Sequence, residues 1–365
     1  MKRRIKILFT GLDWFLGGIE TCLYNISKYL IKENIQIDFL VDYETRPCFY
    51  NELLSLGCGF HFVPSRRNNY IGNIKAIKKI LIIEKYDVLH CNLNSLSYIT
   101  PCLLANKLGV KIILHSHNAG SLRSCFSRLL HFINYYRLPQ NVKYIACSDK
   151  AAKWMFPNKK VEIIRNGVDT ELMKFSFEKR KEIRKQLNID ERTTIIIHIG
   201  AFRAQKNHSL IIDIFNKYLE KNKQSILLLV GKGELEEQIR NKVKELNIEK
   251  NVRFLGTRND ISNLLSGSDY FLFPSLYEGF PCSLIEAEAS GLTCIISDVI
   301  TKQACLPELC RIVPLNSNLN SWVNELQKPV VQNRETFDDI INSDWKLGIK
   351  FEIEQLLRIY EELLS

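Results

Sequence analysis

Glu278 and Glu286 stand at the two ends of Glu278-Gly-Phe-Pro-Cys-Ser-Leu-Ile-Glu286. A carboxylate accepts hydrogen bonds on both oxygens, so a helical Glu286 suits a ribose diol. A loop-borne Glu278 suits sugar hydroxyls at a reacting end. Between them, Pro281 fits the first turn of a helix, where its missing N–H costs little. The N–H groups of Cys282, Ser283 and Leu284 would then lack intrahelical partners and form an anion site fit for a diphosphate. Read without chemistry, Glu278 is a plain loop residue and Glu286 a solvated helix residue. The spacing alone leaves both readings open.

Three other stretches carry residue types that fit the same chemistry. His198-Ile-Gly-Ala-Phe-Arg-Ala-Gln-Lys-Asn-His208 follows a strand pattern and precedes a helix pattern, the right place for an anion. Its Arg203 and Lys206 are either charge-stabilising groups or solvated cations. Gly17-Gly18 closes another strand-to-helix turn, where glycine permits close backbone approach. Ile113-Leu-His-Ser-His-Asn118 ends a strand with His115 and His117, either of which could orient hydroxyls at an anomeric centre. Leu229-Val-Gly-Lys-Gly-Glu234 lacks the Gly-Lys-Ser/Thr ending of a Walker loop.

Positioning these groups requires a repeated strand–helix frame. Apolar runs at Ile5 to Phe9, Asp38 to Val41, Val88 to Cys91, Lys111 to Leu114 and Tyr144 to Ala146 read as strands. Helix patterns at Glu20 to Lys32 and Asn73 to Glu84 separate some of them. The series restarts with strands at Thr194 to Ile199, Ile226 to Val230, Val252 to Leu255, Tyr270 to Phe273 and Thr293 to Ser297. Helices are expected at Asn207 to Leu219 and Glu234 to Leu246, with a linker near 166–185 and a last helix over about 347–364. Strand runs with little polar alternation argue for parallel sheets covered on both faces. The prediction is α/β: two Rossmann-like, doubly wound domains facing across a cleft, with ligands beyond the carboxyl ends of the strands. The expected domains are residues 1–170 on the acceptor side, 171–345 for the nucleotide-sugar, and 346–365 as a helix returning to the first domain.

Phe273-Pro-Ser-Leu-Tyr-Glu-Gly-Phe-Pro-Cys-Ser-Leu-Ile-Glu-Ala-Glu-Ala-Ser-Gly291 closely resembles the Glu-x7-Glu signature of retaining GT-B glycosyltransferases. More narrowly, it resembles the group 1 (sequence family 4) enzymes of capsular and exopolysaccharide biosynthesis. The resemblance implies that Glu278 contacts the donor sugar and Glu286 the ribose, with Phe280, Pro281, Cys282 and Ser283 at the phosphates and sugar. It places Gly17 and Gly18 in the family's first loop and Lys206 at the diphosphate leaving group. The family's Arg after the glycine is replaced by Ala201, so Arg203 would supply that charge. Phe254-Leu-Gly-Thr-Arg-Asn-Asp260 resembles the base-binding loop, with the backbone at Arg258 reading the nucleobase. The competing view is a connecting loop with a helix cap at Asp260 or Ser262. By resemblance His117, rather than His115, faces the reacting centre.

The resemblance implies a UDP-linked hexose donor, a glycan or polyprenyl-lipid-linked acceptor, retention of configuration, no metal and no cofactor. No Asp-x-Asp tripeptide occurs, in keeping with metal independence. Ala201 keeps open a catalytically silent partner or glycan-binding subunit. A nicotinamide enzyme would need Gly-x-Gly-x-x-Gly after the first strand, and Thr10-Gly-Leu-Asp-Trp-Phe-Leu-Gly-Gly18 lacks it.

Composition narrows the setting. Of the formal net charge of +10, residues through Arg165 hold 24 Lys/Arg against 11 Asp/Glu, so the excess lies in the N-terminal half. It marks either an anionic partner, such as a membrane surface, or a solvated basic face. No nucleic-acid-binding motif accompanies it. The 11 cysteines show no Cys-x-x-Cys spacing and suit free thiols in a reducing cytosol. Lys6 and Asp13 interrupt the first apolar run, which reads as a strand rather than a signal peptide, and no membrane-spanning segment is expected. Within 121–139, Leu122, Phe126, Leu129, Leu130, Ile133 and Tyr136 form one helical stripe flanked by Arg123, Arg128 and Arg137. It is either a buried helix face or a surface that lies on an anionic membrane. The expected location is cytoplasmic, with peripheral attachment to the membrane's inner face.

Overall fold

Two parallel sheets organise the chain in the computed structural model, which describes residues 3–14, 17–42, 45–118, 124–331, 333–337 and 347–365. The first unit comprises Met1–Gly167 and Ile349–Ser365, and the second Val168–Gly348.

The first unit runs β1 (Ile5–Thr10), α1 (Gly18–Leu30), β2 (Ile35–Val41), α2 (Tyr50–Ser55), β3 (Gly59–Phe62), α3 (Tyr70–Glu84) and β4 (Val88–Leu93). It continues with α4 (Thr100–Lys107), β5 (Lys111–Ser116), α5 (Cys125–Tyr136), β6 (Val142–Ala146), α6 (Asp149–Met155) and β7 (Val161–Ile163). The sheet order is β3-β2-β1-β4-β5-β6-β7, with every pairing parallel. Alternation along β1 explains its unbroken apolar run. Ile7 and Phe9 enter the core under α1, while Leu8 enters the opposite core with Ile77 and Leu81 of α3. The C-terminal helix (Ile349–Leu364) buries Ile349, Ile353, Leu356, Ile359 and Tyr360 beside Ile7 and Phe9. That stripe at helical spacing is why the last residues belong to this unit.

The second unit runs α7 (Thr170–Met173), α8 (Phe177–Gln186), β8 (Thr194–Ile199), α9 (His208–Leu219), β9 (Ser225–Val230), α10 (Glu236–Glu245) and β10 (Val252–Gly256). It continues with α11 (Ile261–Gly267), β11 (Tyr270–Phe273), α12 (Cys282–Ala289), β12 (Thr293–Ser297), β13 (Cys310–Val313) and α13 (Leu319–Gln327). Its sheet order is β10-β9-β8-β11-β12-β13. Both sheets are doubly wound, in agreement with the predicted α/β class.

The stretch expected to be a linker folds instead as α7 and α8. Arg184 on α8 is fully buried, pairing with Asp269 Oδ2 at 2.9 Å and donating to the carbonyls of Gly267, Asp190 and Thr193. Asp269 also accepts from Arg180 and from the Ile195 N–H. A highly charged helix thus becomes structural because its cations end on one carboxylate and on carbonyls. None of the eleven cysteines is joined in a disulfide. Among the described residues no helix is long and apolar enough to cross a membrane.

Candidate functional site

In open parallel sheets, ligands gather where strand order reverses, because the loops leaving the two strands there part to opposite faces. In the second unit that point lies between β8 and β11. The loop leaving β8 carries Arg203 and Lys206, and the loop leaving β11 carries Glu278. Lys206 Nζ donates to Glu278 Oε1 at 2.7 Å, and the two side chains are only 17% and 8% exposed. Lys206 also lies over the Phe273 ring, 4.7 Å from its centroid. Neighbouring residues fasten the loops together. Gln205 Nε2 donates to Glu278 Oε2 at 3.1 Å and to the Tyr277 carbonyl at 2.9 Å. Asn207 Nδ2 donates to the Pro274 carbonyl, and the Leu276 N–H donates to the Gln205 carbonyl. Asn207 sits at φ 55°, a left-handed conformation asparagine tolerates, and it turns the chain into α9. At Gly231, φ is +138°, and a Cβ would lie 2.2 Å from the Gly200 carbonyl oxygen, so the loops after β8 and β9 approach only through glycine.

Beneath the loop lie two neutral imidazoles. His198 Nδ1 donates to the Leu272 carbonyl at 2.8 Å, and burial holds its pKa well below the usual value. His208 stacks on Phe202 with centroids 4.1 Å apart, and burial lowers it to about 3. Neither adds charge to compete with Lys206.

Glu286 lies on α12, 8% exposed, and burial pushes its carboxyl up to about 7. No described residue donates a hydrogen bond to it, whereas Glu288 on the same helix accepts from the Leu306 N–H and from Cys310 Sγ. Glu288 is fully buried and tied into the core through Oε1, with its Oε2 unpartnered, whereas Glu286 is slightly exposed and keeps both oxygens for a ligand. Phe280 and Pro281 are buried, and Cys282 and Ser283 are half-buried. Two sequence expectations change here. Pro281 is the N-cap rather than a residue of the first turn. The Leu284 N–H donates to the Pro281 carbonyl at 3.0 Å, so the tightened first turn removes Leu284 from the anion-binding set.

In the first unit the strand order reverses between β1 and β4. Gly11 follows β1 at φ +102°, and a Cβ there would meet the Asn92 carbonyl oxygen at 2.3 Å. Asn92 Nδ2 donates to the Thr10 carbonyl, which leaves its Oδ1 to accept from His117 Nε2 at 2.9 Å. That bond places the His117 proton on Nε2. Burial lowers His117 to about 4, with Asn166 acting in the opposite sense, so the ring is neutral at pH 7. His115 differs. It is fully buried, with Nδ1 3.3 Å from His90 Nε2, and His90 in turn meets the Tyr360 hydroxyl at 2.9 Å. The half-buried His117 sits at the strand's carboxyl end, while His115 belongs to an interior array tied to the C-terminal helix. Gly17 is the N-cap of α1, with the Glu20 carboxylate 2.7 Å from where its Cβ would stand, and Gly18 faces open space.

Comparison with known proteins decides the family. Residues 179–303 match the description "Glycosyl transferases group 1", and residues 16–172 match "Glycosyltransferase Family 4". The chain belongs to the group 1 glycosyltransferases. The transferase is 29% identical to "Putative glycosyltransferase EpsF" of Bacillus subtilis (strain 168), over 98% of this chain and 96% of that one. It is 27% identical to an Escherichia coli protein named "UDP-Gal:alpha-D-GlcNAc-diphosphoundecaprenol alpha-1,3-galactosyltransferase", over 81% and 80% of the two chains. In fold it is similar to Anabaena Alr3699/HepE in complex with UDP and glucose, with a TM-score of 0.80 at 18% identity, covering 98% and 100%. It is also similar to the lipopolysaccharide glycosyltransferase WaaG, with a TM-score of 0.74 at 16% identity, covering 97% and 99%. These likenesses establish the GT-B fold.

Within the transferase, Arg203 is exposed and its guanidinium has no partner among the described residues. Arg258 forms a two-bond pair with Asp260, at 2.8 and 2.6 Å. Asp260 therefore does not cap α11 with its side chain, and Ser262 Oγ is likewise used elsewhere, on the Leu172 carbonyl. The side-chain cap of the competing reading forms at neither residue, since Arg258 takes the Asp260 oxygens and Lys179 donates to Ser262 Oγ. Gln205, Asn207 and Asn92 were not singled out by sequence. The one available signal was adjacency of the first two to Lys206.

On α5 of the transferase, the apolar stripe points outward. Of its residues Phe126, Leu129, Ile133 and Tyr136 are exposed, between 42% and 72%, as is Phe132 beside it, while Leu130 is half-buried. The inward side is held by Asn134 Nδ2 on the Leu96 carbonyl and by His131 Nδ1 accepting from the Leu96 N–H. Polar anchoring thus overturns the buried-face reading for these residues. Leu122 and Arg123 of the same stripe lie outside the described residues.

Proposed function

We propose that this transferase moves a hexose, with retention of configuration and without a metal, from a UDP-sugar to the hydroxyl of a glycan or polyprenyl-lipid-linked acceptor in cell-surface polysaccharide synthesis. The observation that carries the reading is the Lys206–Glu278 pair at the switch point, with the unclaimed carboxyl of Glu286 on the following helix. In this account Lys206 moves onto the diphosphate and offsets the charge that builds as it leaves. Glu278 takes sugar hydroxyls, and Glu286 takes the ribose diol. The N-terminal turn of α12 at Pro281, Cys282 and Ser283, and the first loop at Gly17 and Gly18, supply N–H groups toward phosphate. Phe280 lines the sugar and phosphates, Arg203 adds positive charge and the Arg258 backbone reads the base. His117, neutral and tautomer-fixed, orients a hydroxyl at the reacting carbon.

UDP as the carrier is supported by the UDP complexes of Alr3699/HepE and by the UDP-galactose donor named for the Escherichia coli relative. A lipid-linked acceptor is supported by that relative and by a Campylobacter jejuni relative, both named for diphospho-undecaprenol acceptors. The exposed α5 stripe, with Arg128 in the helix's first turn and Arg137 at its C-cap, supports attachment to an anionic membrane, and hence a cytoplasmic, peripheral location. The test is transfer from a panel of UDP-sugars to lipid-linked and glycan acceptors in the presence of a chelator. An axial-to-axial product in the proton spectrum is expected. Inverted product, or activity lost to the chelator, would overturn those two elements.

A further inference from the structure

Gln205 has no role in the donor contacts above, yet it touches the Glu278 loop at three points. Its backbone carbonyl accepts from the Leu276 N–H at 2.8 Å. Its side-chain nitrogen donates to the Tyr277 carbonyl at 2.9 Å and to Glu278 Oε2 at 3.1 Å. A primary amide nitrogen has two N–H groups, and here each has its own acceptor. Both acceptors are oxygens with no proton to give, so the amide cannot flip without losing both bonds.

The carboxylate of Glu278 is thereby divided. Oε2 faces Gln205, and Oε1 faces Lys206. Lys206 is the partner with a competing use. A diphosphate carries more charge than one carboxylate and draws the ammonium away, which opens Oε1. Gln205 is neutral and has no such competitor.

We propose that Gln205 is a positioning residue that holds one oxygen of Glu278 while the other reads the donor sugar. This rests on the reading of Glu278 as the sugar contact. With Gln205 in place, release of Lys206 frees Oε1 without freeing the side chain, and the geometry that discriminates between sugar hydroxyls survives donor entry. Without it, a carboxylate on a loop would have to be ordered anew by the sugar, and part of the sugar's binding energy would be lost in doing so.

The readout is the sugar increment: the ratio of the Kd for UDP to the Kd for UDP-glucose or UDP-galactose, measured by calorimetry on the full chain. Three variants are compared with wild type: Gln205→Met, which keeps length without donors; Gln205→Glu, which sets a carboxylate against Glu278; and Glu278→Gln. UDP binding serves as the control for folding, because Glu286 and the start of α12 are untouched. Gln205→Met is expected to leave the Kd for UDP within about twofold and to cut the sugar increment about tenfold, the loss of a hydrogen bond to a charged group. Gln205→Glu should cut it further, and Glu278→Gln should reduce it to near one. If Gln205→Met weakens UDP and UDP-sugar alike, Gln205 is only a loop scaffold and the proposal fails. If Glu278→Gln loses the increment while both Gln205 variants keep it, the proposal fails and the reading of Glu278 stands. If Glu278→Gln keeps the increment, that reading falls and the proposal falls with it.

Discussion

Lys206 and Glu278, carried by loops of two neighbouring strands, close on each other at 2.7 Å and leave the pair mostly shielded from water. Each is thus matched to the other in the absence of a ligand, so each becomes an unpaired, desolvated charge when its partner is removed. Lys206→Met should lower kcat about 10²–10³-fold, the usual effect of deleting one well-placed group at a developing charge. Glu278→Gln should act on discrimination between donor sugars. Steady-state kinetics with donor saturated checks the first. A kcat within twofold of wild type would remove Lys206 from the chemistry.

Glu286 gives a pH dependence of known sign. Burial holds its carboxyl at about 7 in the donor-free protein. Ribose hydroxyls donate to the ionised form, so bound donor must lower that value. Affinity for UDP should therefore rise from pH 6 to 8, by up to about tenfold per pH unit below 7. Titrations of UDP at pH 6, 7 and 8 check this, and Glu286→Gln should flatten the profile and weaken binding. A profile that is flat in wild type contradicts the assignment.

The two histidines of β5 and its exit should separate cleanly. His117→Gln should cut turnover about 10²-fold or more with donor affinity nearly unchanged, as expected for a group acting on a proton or hydroxyl at the reacting centre. His115→Leu leaves His90 Nε2 without its partner in the core and should destabilise the fold by about 1–3 kcal/mol. Parallel kinetics and chemical denaturation decide between them. The reverse pattern would move the catalytic role to His115.

The order of strands and the placement of the charged loops were legible because parallel strands buried on both faces read as apolar runs, as at Thr194 to Ile199 and Tyr270 to Phe273. β3, β7 and β13 were missed. They are short edge strands, Gly59–Phe62, Val161–Ile163 and Cys310–Val313, most of whose residues are only partly buried or exposed. Helix α8 was taken for linker because Phe177-Glu-Lys-Arg-Lys-Glu-Ile-Arg-Lys-Gln186 looks solvated, and nothing local reveals that Arg184 ends on Asp269. The outward stripe of α5 was ambiguous for a related reason: its inner face is fixed by Asn134 and His131, polar residues whose partners are distant in sequence. In the candidate site, residue types pointed to Lys206, Glu278 and Glu286. Gln205 and Asn92 could be found only from the bonds they make.

The Arg184–Asp269 node gives a stability prediction. Arg184 is 1% exposed and is bound to one carboxylate oxygen and several carbonyls. Arg184→Met leaves Asp269 short of a partner in a shielded site and should destabilise the second unit by about 3–5 kcal/mol. Urea unfolding should show the loss, while the first unit's transition stays in place. A change below about 0.5 kcal/mol would mean the node carries no net stabilisation.

The central claim is that the second unit holds a sugar nucleotide through Lys206, Glu278 and Glu286. Its most direct test is calorimetric titration of UDP-glucose and UDP-galactose into the wild-type chain and Glu286→Ala. Saturable one-to-one binding to wild type, weakened about tenfold or more in the variant, is the predicted result. No binding of either donor by wild type, or equal affinity in both proteins, would contradict it.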